Sequence, residues 1–317
     1  MDASDLHNLF NEKRELKKYV TKDLVTDDPD GRQGDHTTNI TFTCKTFTSQ
    51  LLQWGEGFLI FKGHLERVGG NWADDAVVGI QNGTNTLFTS VKVSMNDVEV
   101  EHNRRADLGT FVNLLEYSPD YAASIGIQSA FARDTVSTPA DAEDPSHRVR
   151  SAVVGAFDNG THQVALHCYV PLKNISQFFR RLNFPIVNQK FQIQIDLNIN
   201  GCIRRANGLQ NGRLVYESCV LYVPRVELPV ELNTKLYKAI ESGKFSKSLN
   251  WDMMDPMVDS FNIAAANRNF NFLLTNGKQA ISKMLFFVHN NFNSQAHSRF
   301  MTNFIINNIN ITINDKD

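Results

Sequence analysis

At 317 residues the chain exceeds the ~250–300 residues at which a single hydrophobic core stops growing, so it has room for two. Hydrophobic residues make up 42% and charged residues 21%, a globular composition that excludes wholesale disorder. With 32 basic against 34 acidic residues the formal net charge is −2, which excludes an overall field drawing the protein to nucleic acid or to an anionic membrane.

Residues 5–20 set Leu6, Leu9, Phe10, Leu16 and Tyr19 among Glu, Lys and Arg, which predicts a short amphipathic helix. This N-terminus has no apolar core of the signal-peptide kind, and no later run is long enough to cross a bilayer. An intracellular, soluble setting is expected. The next stretch, VTDDPDGRQGDHTT, is rich in Asp, Gly and Pro without periodicity and reads as an exposed connector.

From residue 38 the period becomes two. TTNITFTCKTFTSQLL and GFLIFKGHLERV alternate apolar with polar and are heavy in Thr, Phe, Ile and Val, as half-buried strands are. The loop GGNWADDAVVGIQNGTN follows, then the strand LFTSVKVSMNDVEVEHN, in which Val91, Val93 and Met95 face one side and Lys92, Ser94 and Asn96 the other. Leu108, Phe111, Val112, Leu114 and Leu115 have helical spacing before the turn signal YSPDY, and AASIGIQSAFA offers a second helix.

RDTVSTPADAEDPSHRVRS is a long polar loop. Strands resume in HQVALHCYVPL, KFQIQIDLNI and RLVYESCVLYVPRVEL, with the short helical turn LKNISQFFRRLNFP between the first two. PVELNTKLYKAIESGK starts with a helix-compatible Pro229, stops at Gly243 and steps Leu232, Leu236 and Ile240 by four, which predicts a connecting helix. FNIAAANRNFNFLL, KMLFFVHNN and FIINNINITINDKD return to strand composition, and INITIND at 309–315 echoes VKVSMND at 91–97.

This echo implies two similar β-domains in tandem. The expected division is a helix and arm over 1–37, a β-sandwich over 38–228, a connecting helix over 229–248 and the start of a second, incomplete β-domain over 249–317. In the first domain Val91, Val93, Met95, Ile193, Ile195, Leu197, Val220 and Tyr222 are expected to face inward or into adjacent layers. In the second, Phe270, Phe272, Leu285, Phe286, Phe287, Phe304, Ile305 and Ile306 would leave apolar surface exposed. The loops over 69–85 and 133–151 are expected at a subunit contact or on the outer end of an assembly.

Chemistry is mostly missing from this pattern. Cys44, Cys168, Cys202 and Cys219 lie far apart and read as free thiols in a reducing compartment. The nine histidines are scattered, and His162 and His167, an odd number of residues apart on a strand, point to opposite faces. No GxSxG elbow, HExxH helix, P-loop or GxGxxG occurs, and DDPD at 27–30 lacks EF-hand spacing and reads as a solvated acidic turn. No catalytic residue, cofactor or metal is therefore predicted. The pairs Arg104–Arg105, Arg180–Arg181 and Arg204–Arg205 sit beside strand ends and would form a phosphate-binding set only if all three clustered. The sequons at Asn39, Asn82, Asn159, Asn174 and Asn310 read as a by-product of Asn and Thr in strand turns.

The run HQVALHCYVPLKNISQFFRRLNFPIVNQKFQIQIDLN resembles the strand, VPL turn, short helix and strand of the major capsid proteins of polinton-like viruses and virophages. ESCVLYVPRVELPVELNTKLYKAIESGK is similar to the end of that family's first roll and the helix leading to its second, and LLEYSPDYAASIG to the segment after its fourth strand. The resemblance spans roughly residues 40–250. It implies an all-β double jelly-roll capsid subunit with short connecting helices, non-enzymatic, assembling as homotrimers into pseudo-hexagonal capsomers of an icosahedral virion. Penton and minor capsid proteins are the implied partners, with assembly in the host cytoplasm or nucleus. The second roll would then be cut short, as in a fragment or a truncated copy. The competing reading from residue pattern alone is a monomeric β-sandwich module that binds carbohydrate or peptide.

Overall fold

Alternating burial sets the first level of structure. In the strand Phe191–Leu197, Phe191, Ile193 and Ile195 are fully buried while Gln192 and Gln194 face solvent, because successive side chains leave opposite sides of the pleat. The computed structural model describes residues 21–30, 37–44, 51–72, 78–122, 124–131, 154–157, 164–187, 189–205, 211–242, 285–287, 295, 308 and 310. Its strands are β1 (Thr21–Asp27), β2 (Asn39–Cys44), β3 (Phe58–Arg67), β4 (Val78–Ile80), β5 (Phe88–Met95), β6 (Val98–Asn103), β7 (Val154–Phe157), β8 (Val164–Pro171), β9 (Phe191–Leu197), β10 (Ile203–Arg205) and β11 (Gly212–Glu227).

These strands form antiparallel sheets of order β1-β11-β3-β8-β7 and β2-β9-β5-β6, with β4 and β10 as a separate ribbon. Leaving aside β7 and the ribbon, each sheet has four strands. The pairs β1·β11, β2·β9, β3·β8 and β5·β6 nest one inside the next. This is one long antiparallel hairpin rolled into a two-sheet sandwich, which is a jelly roll.

The sheets meet through one apolar core. Ile40, Phe42, Val91, Val93, Ile193 and Ile195 come from the four-stranded sheet, and Leu59, Phe61, Cys168, Val170, Cys219 and Leu221 from the other; each is at most 1% exposed. The aromatic side chains lock the layers, with Trp54 and Phe191 ring centroids 4.4 Å apart and Phe61 edge-on to Phe88 at 6.2 Å.

Several expectations are corrected. The connector expected from Val25 onward begins instead as the last part of β1, a strand registered from Thr21↔Glu227 to Asp27↔Leu221. Its partner β11 lies at the far end of the roll, so no local period announces it. Because β1 went uncounted, the YSPDY segment follows the fifth sandwich strand, β6, and not the fourth. Of the eight residues expected inward, Val91, Val93, Ile193, Ile195 and Leu197 are buried and Met95 packs partly buried on the core. Val220 and Tyr222 lie on the outer face, half-buried. The cause is the β-bulge between Tyr216 and Ser218 against β3. It adds a residue and shifts the inward set from Leu214 and Tyr216 to Cys219, Leu221 and Val223.

In the loop expected at a subunit contact or on the outer end over 69–85, residues 69–71 are exposed, whereas 72 and 78–85 are buried within the chain. The same segment supplies β4. Trp72 is 1% exposed and donates from Nε1 to the Leu65 carbonyl at 3.0 Å. The loop over 133–151 lies outside the described residues. The helix expected after YSPDY is a 3-10 turn, Ile125–Ser129. The predicted helices over 108–115, 172–185 and 229–243 are found as α1 (Gly109–Glu116), with α2 (Pro119–Ala122) after it, α3 (Leu172–Ile175) with α4 (Gln177–Arg181), and α5 (Val230–Glu241).

Two measurements check this packing. Leu221→Ala should cost about 2–5 kcal/mol in urea unfolding, against less than about 1.5 kcal/mol for Val220→Ala, since only the first opens a cavity in the core. Equal losses would show that the phase after the bulge is misassigned. Separately, burial pushes the Asp27 carboxyl above its ordinary value, against hydrogen bonds from the Cys44 thiol and the Asp28 backbone that pull it down. The folded state thus holds this proton more tightly. The contribution is fully present below the ordinary carboxylate pKa and is lost as pH rises through the raised one. Asp27→Asn should be at least as stable as the parent at neutral pH and should flatten the dependence of Tm on pH above the ordinary carboxylate range.

Candidate functional site

Four of the six arginines considered as a phosphate-binding set are paired or buried. Arg105 forks onto Asp107 with both contacts at 3.0 Å, and Arg104 is exposed beside it. Arg180 bonds Glu116 at 2.6 Å, the Lys173 carbonyl at 2.9 Å and Asn113, while Arg181 is exposed. Arg204 is fully buried and Arg205 nearly so. Buried or paired guanidinium groups of this kind do not make one phosphate-binding face.

All four cysteines are buried and free of disulfides. Burial raises the Cys44, Cys168 and Cys219 thiols, which keeps them protonated and unreactive. His167 is exposed and His162 lies outside the described residues. Among the described residues no group of three or more His, Cys, Asp or Glu is placed to hold a metal, the DDPD turn included. Asn82 and Asn174 are buried, so those sequons are inaccessible in the folded state. Among the described residues no helix is long and apolar enough to cross a membrane.

The arrangement offers surfaces instead. One is a side layer in which two separately recognised segments meet. Tyr117 of YSPDY donates to Asn174 Oδ1 of LKNISQFFRR at 2.6 Å and stacks on Tyr121 with centroids 3.9 Å apart. The Arg180 guanidinium lies 5.8 Å from the Tyr117 ring. Burial pushes the Tyr117 hydroxyl up to about 12, so it remains a donor. Beneath this layer the buried Glu101 carboxylate of β6 accepts from the Ser176 hydroxyl, from Gln177 N–H at 2.9 Å and from Phe178 N–H at 3.0 Å. It satisfies the open N–H groups of the first turn of α4.

The second surface is the outer face of the five-stranded sheet. Phe58 stacks on Tyr222 at 5.2 Å with an interplanar angle of 5° and meets Tyr169 at 4.8 Å. Ile60 stands beside them, paired with Val220 and Tyr169, and all five are half-buried. Further along, the same face turns charged, with His64 2.7 Å from Glu217 and Arg213 paired to Glu66. The face is thus divided into an aromatic end and an ionic end.

Of these features the sequence marked YSPDY and Arg180 but missed Glu101 and the aromatic patch. Ser176 was a readable N-cap signal; nothing near residue 101 announces its partner. Glu101→Gln should cost about 1.5–3 kcal/mol in urea unfolding at neutral pH, because its amide NH2 would face N–H donors in a buried place. A loss below about 0.5 kcal/mol would mean that solvent reaches this cap.

No family model matches the chain, and no curated protein matches it. Among solved structures it is similar to the mavirus major capsid protein, at 12% identity and a TM-score of 0.45 over 66% of this chain and 47% of that one. It is also similar to the Faustovirus major capsid protein, at 12% identity and 0.43 over 70% and 56%, and to a chain of the Sputnik virophage, at 10% identity and 0.42 over 67% and 48%. The chain therefore spans about half the length of these structures. The jelly-roll assignment itself stands on the nested strand pairing of this chain.

Proposed function

We propose that this protein is a structural, non-catalytic subunit of a viral capsid. It is a double jelly roll whose first roll is the described sandwich, with α5 as connecting helix and residues 249–317 as the start of a second roll. In this reading three copies form a pseudo-hexagonal capsomer, and capsomers join penton and minor capsid proteins in the virion. The observation that supports it is a coincidence of strand order and segment identity. The capsid-like run from HQVALHCYVPL to QIQIDLN occupies β8, α3, α4 and β9 of a jelly roll, and ESCVLYVPRVELPVELNTKL runs from β11 into α5. These two segments fall on elements of the kind that the resemblance implies, while YSPDY follows the fifth sandwich strand in place of the fourth.

The half-buried aromatic patch of Phe58, Tyr169 and Tyr222 is the assigned lateral contact between subunits, since flat stacked rings with little charge are what an interface core selects. The same patch also favours the second reading, a glycan-binding sandwich, because stacked rings on a sheet face suit sugar rings.

Light scattering and negative-stain microscopy of the full chain test the two. The capsid reading expects trimers of pseudo-hexagonal outline, reduced to monomers by Tyr169→Glu with Tyr222→Glu while the β-sheet circular dichroism is kept. A monomer at every concentration that binds glycans specifically, and loses binding in the same double variant, would replace it with the second reading.

A further inference from the structure

Gln295 belongs to the region beyond α5, yet it is buried at 7% exposure against the first roll. Its side-chain Oε1 accepts the Gly212 N–H at 2.7 Å, and its Nε2 donates to the Gly212 carbonyl at 2.8 Å and to the Asn200 carbonyl at 2.9 Å. Its own carbonyl accepts the Arg205 N–H of β10 at 3.0 Å. One primary amide thereby meets both backbone groups of a single glycine and a neighbouring carbonyl.

The chemistry of the notch selects glutamine. It presents one donor and two acceptors, and a carboxamide offers one acceptor oxygen and two N–H donors. A carboxylate supplies no donor and sets negative charge against two carbonyls. An apolar side chain would take the partner away from all three backbone groups, two of them on buried Gly212.

The notch is also built from the roll side. A Cβ on Gly212 would come within 2.7 Å of the Trp72 ring, so glycine is required there. Trp72 is held in turn by Leu65, and Asn211 beside Gly212 accepts from Val68 N–H at 2.8 Å and from Arg205 Nη2 at 3.0 Å. A second contact ties the same region down, where Phe287 stacks on Phe111 of α1 with centroids 4.0 Å apart.

We propose that Asn200, Arg205 and Gly212 form a carboxamide-recognition notch at the loop end of the first roll, and that its occupant is this chain's own Gln295. The docked residue is itself held against the edge of β10 by its main-chain carbonyl and thereby orders the β9–β11 connection. The proposal rests on this geometry and is independent of the capsid reading.

Amide hydrogen exchange on the full chain tests it, read at Gly212 and Arg205 with Ile193 and Ile195 as internal references. Gln295→Met keeps the volume and removes the amide. Exchange at both Gly212 and Arg205 should rise about tenfold or more while the β9 references stay fixed. Gln295→Glu should do the same at neutral pH and recover in part as pH falls, because a protonated carboxyl regains one donor.

Unchanged exchange at Gly212, or a rise at Gly212 with Arg205 still protected, would overturn the proposal, the second because the side chain would then fill the notch without holding the segment. If Gln295→Met alters exchange at Ile193 and Ile195 as well, Gln295→Asn decides. One methylene shorter, it should expose Gly212 and Arg205 selectively, and protection equal to the parent would overturn the proposal.

Discussion

The hairpin turn at Asn96–Asp97 is the constraint from which the rest of the roll unwinds. Both residues have positive φ, 51° and 65°, as the mirror-image turn of a two-residue hairpin requires, and Asn and Asp tolerate that region better than other non-glycine residues. Asn96 is held from outside as well. Its N–H donates to the Lys190 carbonyl at 2.8 Å and its Oδ1 accepts the Lys190 N–H at 3.0 Å, while Lys190 Nζ reaches Asp97 at 2.6 Å. The innermost strand pair, β5 and β6, is thereby clamped to the start of β9. Each later pair, β3·β8, β2·β9 and β1·β11, wraps outside the one before. A nested order of this kind closes ever longer loops, so the outer pairs depend on the inner ones being formed.

Rolling the hairpin brings β11 beside β3 and β9 beside β5, and these added contacts convert a ribbon into two sheets that cover one another. Each fully buried Phe, Ile or Leu contributes about 1.5–3 kcal/mol. β11 carries the most demanding role, because its sixteen residues lie between β1 and β3. A single uninterrupted alternation over that length would have to follow the twist of two neighbours at once. The bulge at Tyr216–Ser218 bends the strand and resets its phase, and Gly63 opposite it leaves space for the approaching Val215 carbonyl.

Legibility followed the locality of the signal. β9 and β5 were readable because each carries its whole message in an unbroken alternation, and α1 and α5 because their apolar spacing and end signals lie within a few residues. β1 was not, since Lys22, Asp23 and Asp27 lower its β-propensity and β11, its sheet neighbour among the described residues, lies far along the chain. The inward set of β11 was misread after the bulge because period-two reading assumes constant phase. The loop over 69–85 was placed at a subunit contact or outer end because it is long for a hairpin connection, yet Asn85 is satisfied internally, donating to Thr110 Oγ1 at 3.0 Å and to the Ala106 carbonyl at 3.2 Å. Polarity marks a surface loop only where the polar groups lack internal partners. Glu101 and Gln295 were invisible because their partners, mostly backbone groups, lie on distant segments. Of the eight apolar residues expected to be exposed in 249–317, only Leu285, Phe286 and Phe287 lie within the described residues. Phe286 is 44% exposed, whereas Phe287 is half-buried against Phe111.

These distant pairings also bear on where function can reside. In the described roll the buried carboxylate Glu101 caps a helix, Asp107 holds an arginine, the thiols are buried and the amide of Gln295 closes a backbone gap. Groups engaged in this way hold the fold and are not poised to react, since a reactive group needs access and a perturbed affinity for its proton together. The outer sheet face differs. Its rings are stacked on one another, so a contact there buries area that is already ordered and loses little side-chain entropy on association. The charged half of the same face holds His64, Glu66, Arg213 and Glu217 in pairs, a pattern that would favour one orientation of a partner docked there. Apolar area at one end and ordered charge at the other are the two requirements of a contact that must be both strong and registered.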